Sequence, residues 1–199
     1  MLPPLRICLI GPHGAGKSTF ARALGDYLRI PVRPELGRTL REAALAAGPE
    51  RHGLAPDPDF DRAVLRGDLA LDAQLPAQVI LETWHPGNLA YAWHRCPAVA
   101  RRHADRLRQH TRAQLGVVIQ PVWAAPATLH ARLSEPGGTV AERLAFFSAV
   151  AEDALTLATA WGLPVLPPVW TDAVSPGALA AAWPEKLWSR CPLPASASV

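Results

Sequence analysis

Residues Gly11 to Ser18 read GPHGAGKS and match the pattern G-x-x-x-x-G-K-[ST] at every fixed position. Each fixed residue type suits the binding of a polyphosphate. Gly11, Gly14 and Gly16 let the backbone curl closely and point successive N–H groups inward. A helix opening near Lys17 would add its N-terminal partial positive charge. Lys17 supplies a point charge for β- and γ-phosphates, and the Ser18 hydroxyl can ligate Mg²⁺. His13 and Ala15 occupy variable positions and contribute backbone, and Thr19 follows in the first helical turn. ATP with Mg²⁺ is therefore the expected ligand, held by Gly11, His13, Gly14, Ala15, Gly16, Lys17, Ser18 and Thr19.

The elements around this loop are those needed to position it. Leu5–Ile10 is a short apolar run that reads as a buried parallel strand, and Ser18–Leu28 has helical periodicity. Pro31–Arg33 reads as a second short strand and Leu36–Ala47 as a helix stopped by Gly48-Pro49. The stretch 48–59 is loop-like, and Phe60–Leu75 returns to helical spacing. Gln78–Thr83 and Gly116–Trp123 are further buried strands. Helices are expected from Pro86, over Pro97–Leu115 and over Pro126–Leu133. Pro136-Gly137-Gly138 makes a turn, and Thr139 with Glu142 forms a capping box for a helix running to Trp161. Leu163–Pro167 reads as a last strand and Pro176–Trp188 as a closing helix. Strands alternating with helices imply a three-layer α/β fold, with a central parallel sheet of about five strands and helices on both faces. One domain over 1–190 and a short tail over 191–199 are expected.

Composition narrows the function classes. The chain has 199 residues, 49% of them hydrophobic and 19% charged, which is ordinary for a globular domain. Its net charge of +3 does not concentrate into a nucleic-acid surface, because there are only two lysines and the arginines are interleaved with acids. Arg101, Arg102, Arg106 and Arg108 read as a solvated helix face. The three cysteines have no metal spacing, and the pattern predicts free thiols in a reducing, cytoplasmic compartment. No apolar stretch approaches the ~20 residues of a membrane span. Asn88 is the sole asparagine, so the N-K-x-D guanine signature is impossible, and the L-S-G-G-Q signature of transporter ATPases is also missing.

Three places together resemble the nucleoside, nucleotide and nicotinamide-riboside kinase group of P-loop phosphotransferases: the loop itself, PVRPELGR (31–38) and VILETWHPGNLAY (79–91). Glu35 and Glu82 both fall at carboxyl ends of strands, where ligands of open parallel sheets bind. The resemblance implies that Glu35 is the general base for the acceptor hydroxyl and that Glu82 helps Ser18 hold Mg²⁺. It also implies a lid near 132–143, from which Arg132 and Arg143 could close over the transferring phosphoryl group. One departure is plain: many members of the group carry Arg after the acid matching Glu82, whereas Thr83 follows here.

Candidate acceptor contacts are Arg38, Arg62, Arg66, Trp84, His85 and Asn88. Taken singly, Trp84 reads more readily as core, and Asn88 reads equally well as a helix-start residue. The expected partner is a small-molecule acceptor, with neither nucleic acid nor membrane; oligomeric state is open, a homodimer included. A nucleoside-like alcohol is the leading acceptor. Alternatives are a nucleoside monophosphate, using Arg33, Arg38 and Arg41 as a second cationic cluster, or an antibiotic or other secondary metabolite. From another class, a regulatory ATP-binding module would bind the nucleotide without transferring phosphate.

Overall fold

A computed structural model describes residues 3–47, 54–133 and 139–188. Five strands, β1 (Leu5–Ile10), β2 (Val32–Arg33), β3 (Gln78–Glu82), β4 (Val117–Trp123) and β5 (Val169–Trp170), form one sheet in the order β2-β3-β1-β4-β5. All four pairings are parallel. The helices are α1 (Lys17–Leu28), α2 (Leu36–Ala47), α3 (Pro58–Leu71), α4 (Trp84–Arg95), α5 (Pro97–Ala113), α6 (Pro126–Arg132), α7 (Val140–Ala160) and α8 (Pro176–Trp188). A single 3₁₀ turn, Asp72–Gln74, extends α3 toward β3. No described helix is long and apolar enough to cross a membrane.

Alternation along the strands divides the interior into two layers. Ile7 and Leu9 of β1 face Phe20 and Leu24 of α1 and Leu179 and Trp183 of α8. Cys8 and Ile10 point the other way, toward Ala90 of α4 and Val150, Ala154 and Ala158 of α7. Successive strand side chains alternate faces, so both faces of β1 must be apolar for it to lie at the centre of a covered sheet. A third cluster, with Leu65, Leu89, Val99, Leu107 and Trp161, packs α3, α4 and α5 together.

One buried polar residue ties the closing helix to the sheet. Gln120 of β4 is fully buried; its amide donates to Pro121 O at 2.8 Å and Pro167 O at 3.0 Å, and its oxygen accepts from Trp183 Nε1 at 2.8 Å.

Most expected elements are present, with shifts at particular boundaries. α3 begins at Pro58, where the Asp57 side chain caps the Phe60 N–H at 3.0 Å. α4 begins at Trp84, two residues ahead of the expected Pro86. The last strand is corrected from Leu163–Pro167 to Val169–Trp170; Val165 makes only an isolated bridge to Ile119. Prolines at 164, 167 and 168 lack the N–H groups a ladder needs, which delays regular pairing until Val169. The Thr139–Glu142 capping box is present, the Thr139 N–H donating to Glu142 Oε2 at 2.8 Å. The Pro136-Gly137-Gly138 turn of the expected lid and the expected tail over 191–199 lie outside the described residues.

Replacing Gln120 with Leu should destabilise the protein by about 1–3 kcal/mol, because Trp183 Nε1 loses its buried acceptor. Urea denaturation would measure this, and an unchanged midpoint would mean that Trp183 finds another partner.

Candidate functional site

The phosphate loop joins β1 to α1 and sits where the sheet leaves no room for a side chain. A Cβ on Gly11 would lie 1.9 Å from Val122 O, so β4 itself forbids any larger residue there. Gly14 and Gly16 have φ of 80° and 84°, in the left-handed region that glycine adopts freely. A Cβ on Gly16 would meet Thr171 Oγ1 at 3.1 Å. Thr171 closes over the loop from the far edge of the sheet, donating to Ala15 O at 2.7 Å. Next to it, the Asp172 carboxylate accepts from Ala125 N at 2.7 Å and from Thr128 Oγ1 at 3.2 Å, fastening the start of α6. The Ala125 N–H is the main cause holding that carboxyl below its usual range. From the end of α6, Arg132 donates to Gly14 O at 3.0 Å. A cleft of about 610 Å³ opens here, lined by His13, Lys17, Ser18, Arg38 and Arg132, with Thr171, Pro176 and Leu179 along its far side. That volume falls within the range of nucleotide-sized sites.

Lys17 Nζ donates to Gly11 O at 2.8 Å and Pro12 O at 2.9 Å. Burial lowers its pKa from the ordinary value, while the carboxylates of Glu35 and Glu82 act in the opposite direction. Ser18 Oγ donates to Glu82 Oε2 at 2.6 Å. Arg38 reaches both groups, with Nη1 donating to Ser18 Oγ at 3.0 Å and Nη2 at 3.7 Å from Glu82 Oε2. Loop, second-strand segment and third-strand acid thus meet at one point, as the spacing along the chain requires.

Glu82 is aimed by an unusual corner. Thr83 has φ 70° and ψ −65°, and Trp84 has φ 50°, conformations that cost an L-residue energy and persist only when held from several sides. The Thr83 N–H donates to Leu9 O at 3.0 Å, and its carbonyl accepts from Cys8 Sγ at 3.4 Å. Its hydroxyl donates to Glu35 Oε2 at 3.2 Å. The residue that stands where an arginine was expected therefore orients the candidate base.

Among the described residues no group of three or more His, Cys, Asp or Glu forms a metal cage. The pair of hard oxygens at Ser18 and Glu82 fits Mg²⁺, which takes one or two protein ligands and completes its octahedron with phosphates and water.

The remaining candidates separate. Arg143 is buried and donates to Leu133 O, joining α7 to the end of α6. Arg62 pairs with Asp59 and Arg66 is exposed, both on α3. Trp84, His85 and Asn88 are all buried and lie off the phosphate-loop cleft; Trp84 lines a small cavity with Arg33, Asp68 and Glu82 instead. Trp84 Nε1 donates to Asp72 Oδ1 at 3.0 Å, His85 Nδ1 bonds Thr111 Oγ1 at 2.8 Å, and Asn88 donates to Asp68 Oδ2. The expectation of an acceptor platform at these three is corrected on that ground, since each is buried and bonded to a partner inside the fold. The early start of α4 is the cause, because it turns the segment into the protein at Trp84.

Those residues belong to a buried network that sequence patterning did not reveal. Arg33 Nη2 donates to Asp68 Oδ1 at 2.6 Å and Nη1 lies 3.7 Å from Asp72 Oδ1. His110 Nε2 contacts Asp72 Oδ2 at 2.9 Å. Beside it, Arg95 pairs with Asp61 and lies over the rings of Tyr91 and Phe60, at 5.3 Å and 5.4 Å from their centroids. Thr171 and Asp172 also escaped the sequence reading, and a threonine-aspartate pair after an unrecognised strand was the one available signal.

A family model described as an AAA domain matches residues 6–165. The chain belongs to this AAA-domain family. No curated protein matches the sequence. Among solved structures, NadR in complex with NR superposes with a TM-score of 0.63 at 16% identity, over 92% of this chain and 51% of NadR. The chain thus spans about half the length of NadR. Shikimate kinase from Acinetobacter baumannii in complex with shikimate gives 0.56 at 14% identity, over 96% of both chains. Thymidylate kinase from Ehrlichia chaffeensis gives 0.59 at 13%, over 94% of this chain and 99% of that one. The AAA-domain chain therefore has the three-layer P-loop fold of the nucleoside, nucleotide and small-molecule kinases.

Burial raises the Asp68 pKa from 3.8 to about 6. A raised folded-state value means that the proton is bound more tightly by the folded protein. The stability this gives is complete below about 3.8 and is lost as pH rises through about 6. Asp68→Asn should abolish that component, so the variant and the parent should differ in the pH slope of unfolding between these values. Identical slopes would mean that water reaches the carboxylate.

Proposed function

We propose that this protein transfers the γ-phosphoryl group of ATP to a hydroxyl of a small, nucleoside-like molecule that carries no phosphate. The observation that carries the reading is the meeting of Lys17, Ser18, Glu82 and Glu35 beside the loop, with Glu35 hydrogen-bonded to Thr83 next to Glu82. The loop N–H groups and Lys17 cradle the phosphates, and Ser18 with Glu82 would hold Mg²⁺. Bound there, the metal would neutralise charge on the β- and γ-oxygens. The acceptor oxygen attacks the γ-phosphorus while the bond to the β,γ-bridging oxygen breaks. Glu35, buried and oriented by Thr83, takes the proton from the acceptor hydroxyl. A module that only bound ATP would have no use for a second oriented carboxylate.

The charge inventory on the acceptor side supports an uncharged acceptor over a monophosphate. A dianionic phosphate is normally met by several arginines. Here Arg33 is held by Asp68 and Asp72 and Arg95 by Asp61, while Arg38 contacts Ser18 and Glu82 on the phosphate-loop side. Arg41, over the Phe60 ring at 5.6 Å, and the exposed Arg66 are left to meet such a group. Pulling Arg33 away would strand two buried carboxylates. The NR complex of NadR and the shikimate complex of shikimate kinase are both consistent with acceptors of this kind.

A coupled assay of ADP release with Mg-ATP, run against pooled nucleosides, nucleoside monophosphates and other small alcohols, tests the proposal. Turnover with an unphosphorylated alcohol is expected. Turnover confined to monophosphates would overturn the acceptor class, and silence across the panel despite ATP binding would favour a regulatory module. Once an acceptor is in hand, Glu35→Gln should lower transfer about 10²–10⁴-fold and leave Mg-ATP affinity within about twofold. A collapse of Mg-ATP affinity would reassign Glu35 to the metal.

A further inference from the structure

The contact between Arg38 and the candidate metal ligands carries a consequence for both binding and transfer. Arg38 lies in the first turn of α2, three residues after Glu35, and reaches across to the loop. Its guanidinium spans Ser18 Oγ and Glu82 Oε2, which are themselves 2.6 Å apart. These are the two oxygens that Mg²⁺ would need at about 2.1 Å. A divalent cation on that pair and a guanidinium on the same pair exclude each other, by space and by charge repulsion.

The Arg38 side chain is 36% exposed, so it has solvent to move into. The other arginines near the cleft are held by different means. Arg33 neutralises two buried acids, Arg132 is bonded to Gly14 O, and Arg143 is buried against Leu133 O. Arg38 is distinguished by having the metal ligands themselves as its partners. It also lies close enough to influence Lys17 electrostatically, so a short swing keeps it beside the terminal phosphate that Lys17 serves. Thr83 stands where the expected arginine is missing, so transition-state charge must be met from another element, and Arg38 of α2 is the arginine in contact with Ser18 and Glu82.

We propose that Arg38 is the stand-in cation of the metal site: Mg²⁺ displaces it from Ser18 and Glu82, and the displaced guanidinium takes the transferring phosphoryl group. The second half rests on the phosphotransferase reading above; the first half does not. The site thereby keeps its carboxylate neutralised before the metal arrives and gains a phosphate-binding arginine when it does.

The test titrates MgCl₂ into protein saturated with a non-hydrolysable ATP analogue, following tryptophan fluorescence or heat, for the parent, Arg38→Met and Arg38→Lys. Because Arg38 competes with the metal, Arg38→Met should lower the half-saturating Mg²⁺ concentration about 3- to 10-fold. At saturating Mg²⁺ the same variant should turn over roughly 10²–10³-fold more slowly. Arg38→Lys should restore part of the metal competition but little of the rate, since an ammonium cannot bridge two oxygens in a plane. Thermal melting of each variant controls for folding. Unchanged or weaker metal binding in Arg38→Met overturns the stand-in role, and tighter metal binding with full turnover overturns the catalytic one. Tighter metal binding in a protein for which no acceptor is ever turned over would leave the stand-in role supported and sink the phosphotransferase reading instead.

Discussion

The corner at Thr83 is the constraint on which the site depends. A strand that continued in ordinary extended backbone would carry the residues after Glu82 on past the loop. With φ of 70° at Thr83 and 50° at Trp84, the chain instead stops short and turns in. The three bonds that hold this strain come from two segments: Leu9 O and Cys8 Sγ of the central strand, and Glu35 from the second-strand side. Breaking any one would release the aim of Glu82 at Ser18 and the orientation of Glu35 together. The corner also drives Trp84 into the core, where its indole N–H needs a buried acceptor. Asp72 supplies it, and that carboxylate in turn gathers His85, His110 and Arg33.

Two kinds of stabilisation therefore face each other across the cleft. On the nucleotide side the contacts are mostly backbone: Gly11 against Val122 O, Thr171 on Ala15 O, Arg132 on Gly14 O. Such contacts are indifferent to pH and make a fixed cradle. On the acceptor side the contacts are ion pairs and buried carboxylates, where one proton or one swing of a side chain changes the local charge. The phosphate loop is thus fixed by the chain path, whereas the charge around β2, α3 and α4 is set by which buried groups remain uncompensated.

How much of this was legible in the sequence follows from how local each signal is. The phosphate loop was legible because three glycines, a lysine and a serine at fixed spacing encode a conformation and a charge at once. The central strands were legible because a strand covered on both faces must be apolar throughout. Glu35 and Glu82 were legible as strand-end acids, and the Thr139–Glu142 box as a helix start. The position of β5 was not, since Leu163–Pro167 is as apolar as a strand and only the lost N–H groups of the prolines shift pairing to Val169. Trp84, His85 and Asn88 misled for a related reason. Their residue types suit a binding platform, and nothing local announces a left-handed turn at a threonine. The partners that bury them, Asp68, Asp72 and Thr111, lie 12 to 26 residues away in sequence.

The same distinction bears on the missing arginine. A sequence pattern treats position 83 as a slot whose usual occupant is absent, and looks for a substitute nearby. In three dimensions what matters is reach, and α2, which follows β2, brings Arg38 to Ser18 and Glu82. Thr83 can then serve Glu35, while Arg38 reaches Ser18 and Glu82 from α2. Geometry lets the two roles separate because β2 and β3 are neighbours in the sheet although their ends lie far apart in the chain. A site assembled from adjacent strand ends needs each chemical function to be present within reach, and it does not matter which strand delivers it.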